Sequence, residues 1–194
     1  MTLLIPYAGL ESSPWKNGAG STIEIATAPT GATLENFDWR ISLATFIHNG
    51  PFSLFTDVER TLAFVDGAGA TLRVDGTQNV ILSEDEPIFE FSGDSEIEAT
   101  LIEGPTMGFN VMTRNESCHH RLGRRALKGA SGFAPRGDVT VLFLAEGESL
   151  SVSSDAERIG LVRYDTLLFD TTTFWKFESS SAVVLIVDIF MNGD

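Results

Sequence analysis

The sequence predicts an all-β protein built as two small barrels in tandem. Three observations predict it. The chain is a succession of short β-like runs separated by Gly, Asp, Asn and Ser turns. No long window carries helical periodicity. Each half holds about six to eight such runs, the strand density of a sandwich or barrel. At 194 residues and 43% hydrophobic content the chain is long enough to bury a real core.

Taken in order, Thr2 to Tyr7 reads as a first strand and Thr22 to Thr27 as a second, stopped by Ala28-Pro29-Thr30-Gly31. Trp39 to Ile47 alternates cleanly. Trp39, Ile41, Leu43, Thr45 and Ile47 form a packing face, while Arg40, Ser42, Ala44 and Phe46 form a second face, either a cavity wall or a solvent surface. Arg60 to Val65 and Ala70 to Val74 read as a hairpin around Asp66-Gly67-Ala68-Gly69, and Asp75-Gly76 as a tight turn into Thr77 to Leu82. Ser83 to Pro87 breaks the pattern, Ile88 to Phe91 and Ser95 to Ile102 resume it, and Glu103-Gly104-Pro105 marks a boundary. The expected division is therefore residues 1–106 and 107–194, with strands free to cross between the halves. Phe109 to Arg114 is again a strand. From Cys118 to Arg136 the pattern weakens into a basic loop. Strands return at 139–145, 149–152, 161–162, 166–169, 174–177 and 182–190.

Charge and composition narrow the function. A net charge of −14 disfavours nucleic acid and anionic membranes, both of which want a basic surface. The single cysteine, Cys118, excludes an internal disulfide, and the first residues carry no secretory pattern, so a reducing, cytoplasmic setting is expected. No run approaches the length of a membrane-spanning helix. The three histidines, His48, His119 and His120, do not make a metal set, because neighbours on a strand face opposite ways; no metal and no cofactor are expected. No nucleophile elbow, phosphate loop or dinucleotide fingerprint is present.

What remains is recognition of a small anion. Before residue 109 the basic residues are only Lys16, Arg40, Arg60 and Arg73, against sixteen acidic ones. Lys16 stands in Trp15-Lys16-Asn17-Gly18-Ala19-Gly20, where glycine lets a backbone approach closely. Lys16 offers a point charge, Arg60 or Arg40 a planar fork for a carboxylate, and Asn17 and Asn110 both donors and acceptors. Glu24 suits the orientation of one of these cations. Trp15, Phe52 and Phe109 read either as apolar walls or as core. A second basic cluster, Arg114, Arg121, Arg124, Arg125, Lys128 and Arg136, reads either as a solvated loop or as a surface for an acidic partner.

Four motifs together resemble the HutD/Ves family of bicupins: Pro14 to Ala26, Asp38 to Ala44, Asn49 to Phe55 through Glu59-Arg60, and Gly108 to Arg114. The match covers roughly the first 115 residues. The chain departs from the family pattern at Ala19, Ile23 and Thr56-Asp57-Val58. The resemblance implies two cupin-type, jelly-roll-like barrels without the usual cupin histidine ligands. It implies a pocket in the first barrel lined by Lys16, Asn17, Arg60 and Asn110, with Trp15, Glu24, Arg40, Phe52 and Ser53 as further contacts. It also implies a non-catalytic protein holding a small carboxylate, such as urocanate or N-formylglutamate, and modulating histidine utilisation or a stress response. The alternative is a metal-independent isomerase or epimerase using Glu24 and Lys16 as an acid–base pair. A homodimer through sheet edges is compatible with either.

Overall fold

A computed structural model of the chain describes residues 2–84, 86–169 and 173–193. The described residues form an all-β protein of seventeen strands and one short 3-10 turn. Contacts group residues 11–118 into one unit, and residues 1–10 with 119–194 into the other.

The first unit is a pair of antiparallel sheets. The larger contains β2 (Ser12–Pro14), β3 (Gly20–Ala28), β4 (Trp39–Phe46), β11 (Thr106–Arg114), β6 (Val58–Asp66) and β9 (Ile88–Ser92), in that spatial order. The smaller contains β5 (Gly50–Pro51), β10 (Ile97–Leu101), β7 (Ala70–Val74) and β8 (Gln78–Leu82). Leu62 and Phe91 from the larger sheet pack with Leu72, Leu82, Ile97 and Ala99 from the smaller, so the core lies between the two. Of the packing face read from the β4 sequence, Trp39, Ile41 and Leu43 are buried but Ile47 is exposed, and the other face is buried as well at Ser42, Ala44 and Phe46. Beside Ile41 and Leu43 on β11, Val111 and Phe109 are buried too.

Two local expectations give way to tertiary pairing. The runs flanking Asp66 to Gly69 are not a hairpin: β6 pairs with β11 and β9, whereas β7 pairs with β8 and β10. The connection is a corner between sheets. Gly67 and Gly69 both take positive φ there, and a Cβ on Gly67 would sit 2.5 Å from the Pro105 carbonyl oxygen. The true hairpin is β7–β8. Its loop is the three residues between Val74 and Gln78: Asp75 and Gly76 both have positive φ, and the Thr77 N–H donates to the Val74 carbonyl across them.

The second unit is built on one seven-stranded sheet. It contains β1 (Thr2–Ile5), β16 (Thr166–Phe169), β13 (Val139–Glu146), β17 (Trp175–Met191), β14 (Ser149–Ser153) and β15 (Arg158–Val162), with β12 (Cys118–Phe133) also on β17. The N-terminal strand therefore belongs with the C-terminal half. The Asp165 carboxylate accepts hydrogen bonds from the backbone N–H groups of Tyr7 and Val162, which ties the end of β1 to the turn before β16. At the other expected boundary, β11 begins at Thr106 and pairs with β4 and β6, so the first unit continues to Cys118 and not 106.

The segment from Cys118 onward is a sixteen-residue strand rather than a loop. Its pattern is weak because only Cys118, Leu127 and Phe133 are buried along it. The two runs expected at 174–177 and 182–190 are one strand, β17, which pairs with β14 through residues 176–178 and with β13 through residues 183–189. The core of this unit includes Phe133, Leu142, Leu144, Val152, Phe169 and Trp175.

Candidate functional site

The interior face of the larger sheet in the first unit carries an unusual row. Across β4, β11 and β6, Arg40 lies opposite Met112, and Met112 opposite Arg60; one rung along, Ser42 lies opposite Asn110. Directly opposed residues share a face of the sheet. Two guanidinium groups, a hydroxyl and an amide are thus set among apolar neighbours. Ser42 and Asn110 are buried, at 1% and 5% exposure.

The two arginines differ in their partners. Arg40 Nε donates to Glu24 Oε2 at 2.7 Å, and Arg40 Nη1 donates to the Ser42 hydroxyl. A bulge in β3 between Glu24 and Ala26 accompanies this pairing. Arg60 has no carboxylate partner among the described residues. Its Nη1 donates to the Ser53 carbonyl at 3.0 Å and its Nη2 reaches Asn110 Oδ1 at 3.4 Å. Its Nε is buried without a partner. The guanidinium carbon sits 4.8 Å from the Phe91 ring centre, 5.4 Å from Phe55 and 5.6 Å from Phe52. Burial, and then the neighbouring Arg40 charge, lower the Arg60 pKa to about 10. Arg60 is therefore still a cation at neutral pH, held in an aromatic cage with three of its five N–H donors uncommitted.

The remaining expected site residues divide. Phe52 is part of the cage and stacks on Phe46, whose ring meets Trp15 edge-on at 5.3 Å. Trp15 Nε1 donates to the Thr22 hydroxyl. The Trp15–Gly20 loop is thus connected to Arg60 through two aromatic rings. Gly20 is required there, because a Cβ would lie 2.1 Å from the Thr45 carbonyl oxygen and 2.9 Å from the Trp15 ring. Lys16 is exposed and has no hydrogen bond or ion pair among the described residues. Asn17 is exposed and its Oδ1 accepts from the Ala19 N–H, closing its own turn. Ser53 contributes its carbonyl, not its hydroxyl. Phe109 lies on the opposite face from Asn110 and is core.

Phe91, Phe55 and Ser42 were not singled out in the sequence as site residues. Ser42 stands on the same alternating face as Arg40 and was within reach of period-two reasoning. Phe91 was not, since nothing local to β9 reports that it pairs with Arg60.

Other reactive groups are quiet. Burial first, and then Asp38, raise the Cys118 thiol to about 11, while its Sγ donates to the Asp38 carbonyl. It is a protonated thiol at neutral pH. Among the described residues no three His, Cys, Asp or Glu side chains converge as metal ligands, and no helix is long and apolar enough to cross a membrane.

His120 carries a stability prediction. Burial, and then the charge of His119, lower its pKa to about 4. The unfolded value is higher, about 6.5, so the unfolded chain takes up the proton first as pH falls. The stabilisation is complete above pH 6.5 and is lost progressively toward pH 4. Urea denaturation is expected to show about 2 kcal/mol lost from this group between pH 7 and pH 5. His120→Gln is expected to remove that part of the pH dependence; an unchanged slope in the variant would contradict the assignment.

Comparison with known proteins gives one consistent answer. The HutD family model matches residues 7–187. A protein described as Protein Ves, from Citrobacter koseri, is 39% identical over 126 residues, which span 64% of this chain and 64% of that protein's length. A protein from Pseudomonas putida, described as an uncharacterized 21.2 kDa protein in the hutC 3' region, is 33% identical over 156 residues, 79% of each chain. The solved structure of HutD from Pseudomonas fluorescens SBW25, in a formate condition, covers 100% of both chains with a TM-score of 0.83 at 28% identity.

Proposed function

The chain belongs to the HutD family, with the all-β cupin fold, and from there we propose that it is a cytosolic protein that binds a small carboxylate metabolite at Arg60. The observation that supports this reading is a largely desolvated guanidinium, its Nε buried, without a counter-ion among the described residues. A buried charge without a partner is costly, and a ligand carboxylate would supply one. The planar fork suits a carboxylate, and the aromatic cage suits the flat or aliphatic body of a small acid. Arg60 is the main anchor, Asn110 and Ser42 read the ligand's polar groups, and the Glu24–Arg40 pair sets the charge beside it. In this reading Phe52 and Trp15 form the wall toward the loop that carries Lys16 and Asn17, and the exposed Lys16 meets a second carboxylate of the ligand. The neighbourhood of a relative's gene to hutC favours an intermediate of histidine breakdown, held rather than transformed, as a means of modulating that pathway. Glu24 is held by Arg40, and Lys16 has no hydrogen bond or ion pair with it among the described residues, which favours a binding role over the acid–base pair of an isomerase.

The test is calorimetric titration with urocanate, N-formylglutamate and glutamate, followed by chemical analysis of the recovered ligand. Saturable binding that disappears in Arg60→Ala, with unchanged ligand, is the expected result. Absence of binding across the three acids would refute a histidine-pathway ligand, and turnover would refute a purely binding role.

A further inference from the structure

The second unit contains a cleft of about 400 Å³ between β12 and β17, lined by Arg121, Arg124, Arg125 and Arg136 together with Asp188 and Ile186 among others. Four arginines among the lining residues of one concavity are unexpected in a chain of net charge −14. The sequence cluster that suggested a basic surface is divided by the fold. Arg114 is committed elsewhere, donating to the Phe37 and Glu35 carbonyls in the first unit.

Within the cleft, two arginines are fixed and two are uncommitted. Arg124 pairs with Glu146 at 3.0 Å, and Arg125 donates to the Gly132 carbonyl while lying over the Phe177 ring. Arg121 rests over the Phe190 ring at 5.8 Å and has no acidic partner among the described residues; the Arg136 guanidinium has none either. The one lining carboxylate is occupied by the protein. Asp188 Oδ1 accepts from the Arg136 and Gly137 N–H groups and from the Thr140 hydroxyl. Asp188 thus holds the backbone of Arg136 in place, while three donors offset its repulsion of an anion.

We infer that this cleft is a second binding site, distinct from Arg60, for a small oxyanion carrying two or more negative charges, of phosphate or carboxylate chemistry. Paired guanidinium forks recognise both groups bidentately. The concave form and the volume fit a small molecule, the size range of metabolite pockets, better than a flat protein surface.

The test is titration of the full chain, at low ionic strength, with pyrophosphate and separately with citrate. In an Arg60→Ala background, which removes the first site, the chain is expected to bind one equivalent of the preferred anion, and the same background carrying the Arg121→Gln/Arg136→Gln double variant to bind it at least tenfold more weakly. Neither residue is in an ion pair among the described residues, so the two added substitutions are expected to leave the melting temperature of that background unchanged. Amide resonances of residues 121–136 are expected to move, and those of residues 53–60 to stay. Preference for pyrophosphate assigns phosphate chemistry, and preference for citrate assigns carboxylate chemistry. Equal binding by the double variant, shifts confined to residues 53–60, or no saturation with either anion would overturn the proposal.

Discussion

Arg60→Met is expected to lower carboxylate affinity about a hundredfold or more, while leaving the unliganded protein at least as stable as wild type. The two halves of this result have one cause. The Arg60 pKa is lowered to about 10 by burial and by Arg40, so at neutral pH the folded state bears the cost of a desolvated cation. The sign follows from linkage. A folded pKa below the unfolded value of a cation means the charged form destabilises the fold at every pH below both values. Met keeps most of the side-chain length against Phe52, Phe55 and Phe91 and removes the charge. The hydrogen bonds to the Ser53 carbonyl and Asn110 are lost, which offsets part of the gain. Urea denaturation and calorimetry on the same samples check both halves. An arginine kept only for structure would behave oppositely, with lower stability in the variant and no ligand to lose.

The second large effect lies in the other unit. Trp175→Ala is expected to cost about 3–5 kcal/mol of unfolding free energy, the range for removing a buried aromatic side chain. Trp175 is the largest fully buried side chain, 1% exposed, and meets Phe169 edge-on at 5.1 Å. Phe169 contacts Phe133, which stacks on Phe177 at 4.9 Å, so the ring is one member of a continuous aromatic core. Its Nε1 has no hydrogen-bond partner among the described residues. Trp175→Phe is therefore expected to cost far less than the alanine variant, since it retains a ring and removes an unsatisfied donor. Equal losses in the two variants, measured by urea denaturation, would mean that Nε1 has a partner in solution and that the indole is held by polarity as well as packing.

Much of the fold was legible because it rests on short-range rules. The alternation in Trp39 to Ile47 assigned Arg40 and Ser42 to one face and Ile41 and Leu43 to the other, and the structure keeps that division. Asp75-Gly76 announced its turn through the positive φ that its two residues tolerate. The readings that changed are those where local signal and pairing diverge. Asp66 to Gly69 has the composition of a hairpin, yet the flanking strands join different sheets. The polar run after Cys118 looked like a loop because few of its side chains are buried, although its backbone pairs with β17. The strand β17 reads as two runs because residues 179–182 interrupt the apolar pattern between its two ladders.

The sequence by itself determined the fold class, the family and the presence of a few conspicuous cations in an acidic first half. These follow from composition, from a period of two and from motifs that are contiguous along the chain. Only the tertiary structure decided which cation is caged and which is paired. Arg60 and Asn110 are 50 residues apart, and Arg40 is 16 from its partner Glu24, separations that no local pattern records. Strand pairing joins residues remote in sequence, and a side chain's desolvation, counter-ion and free donors are properties of those non-local neighbours. The same physics separated Arg121 and Arg136, left open toward a cleft, from Arg114, spent on holding a turn.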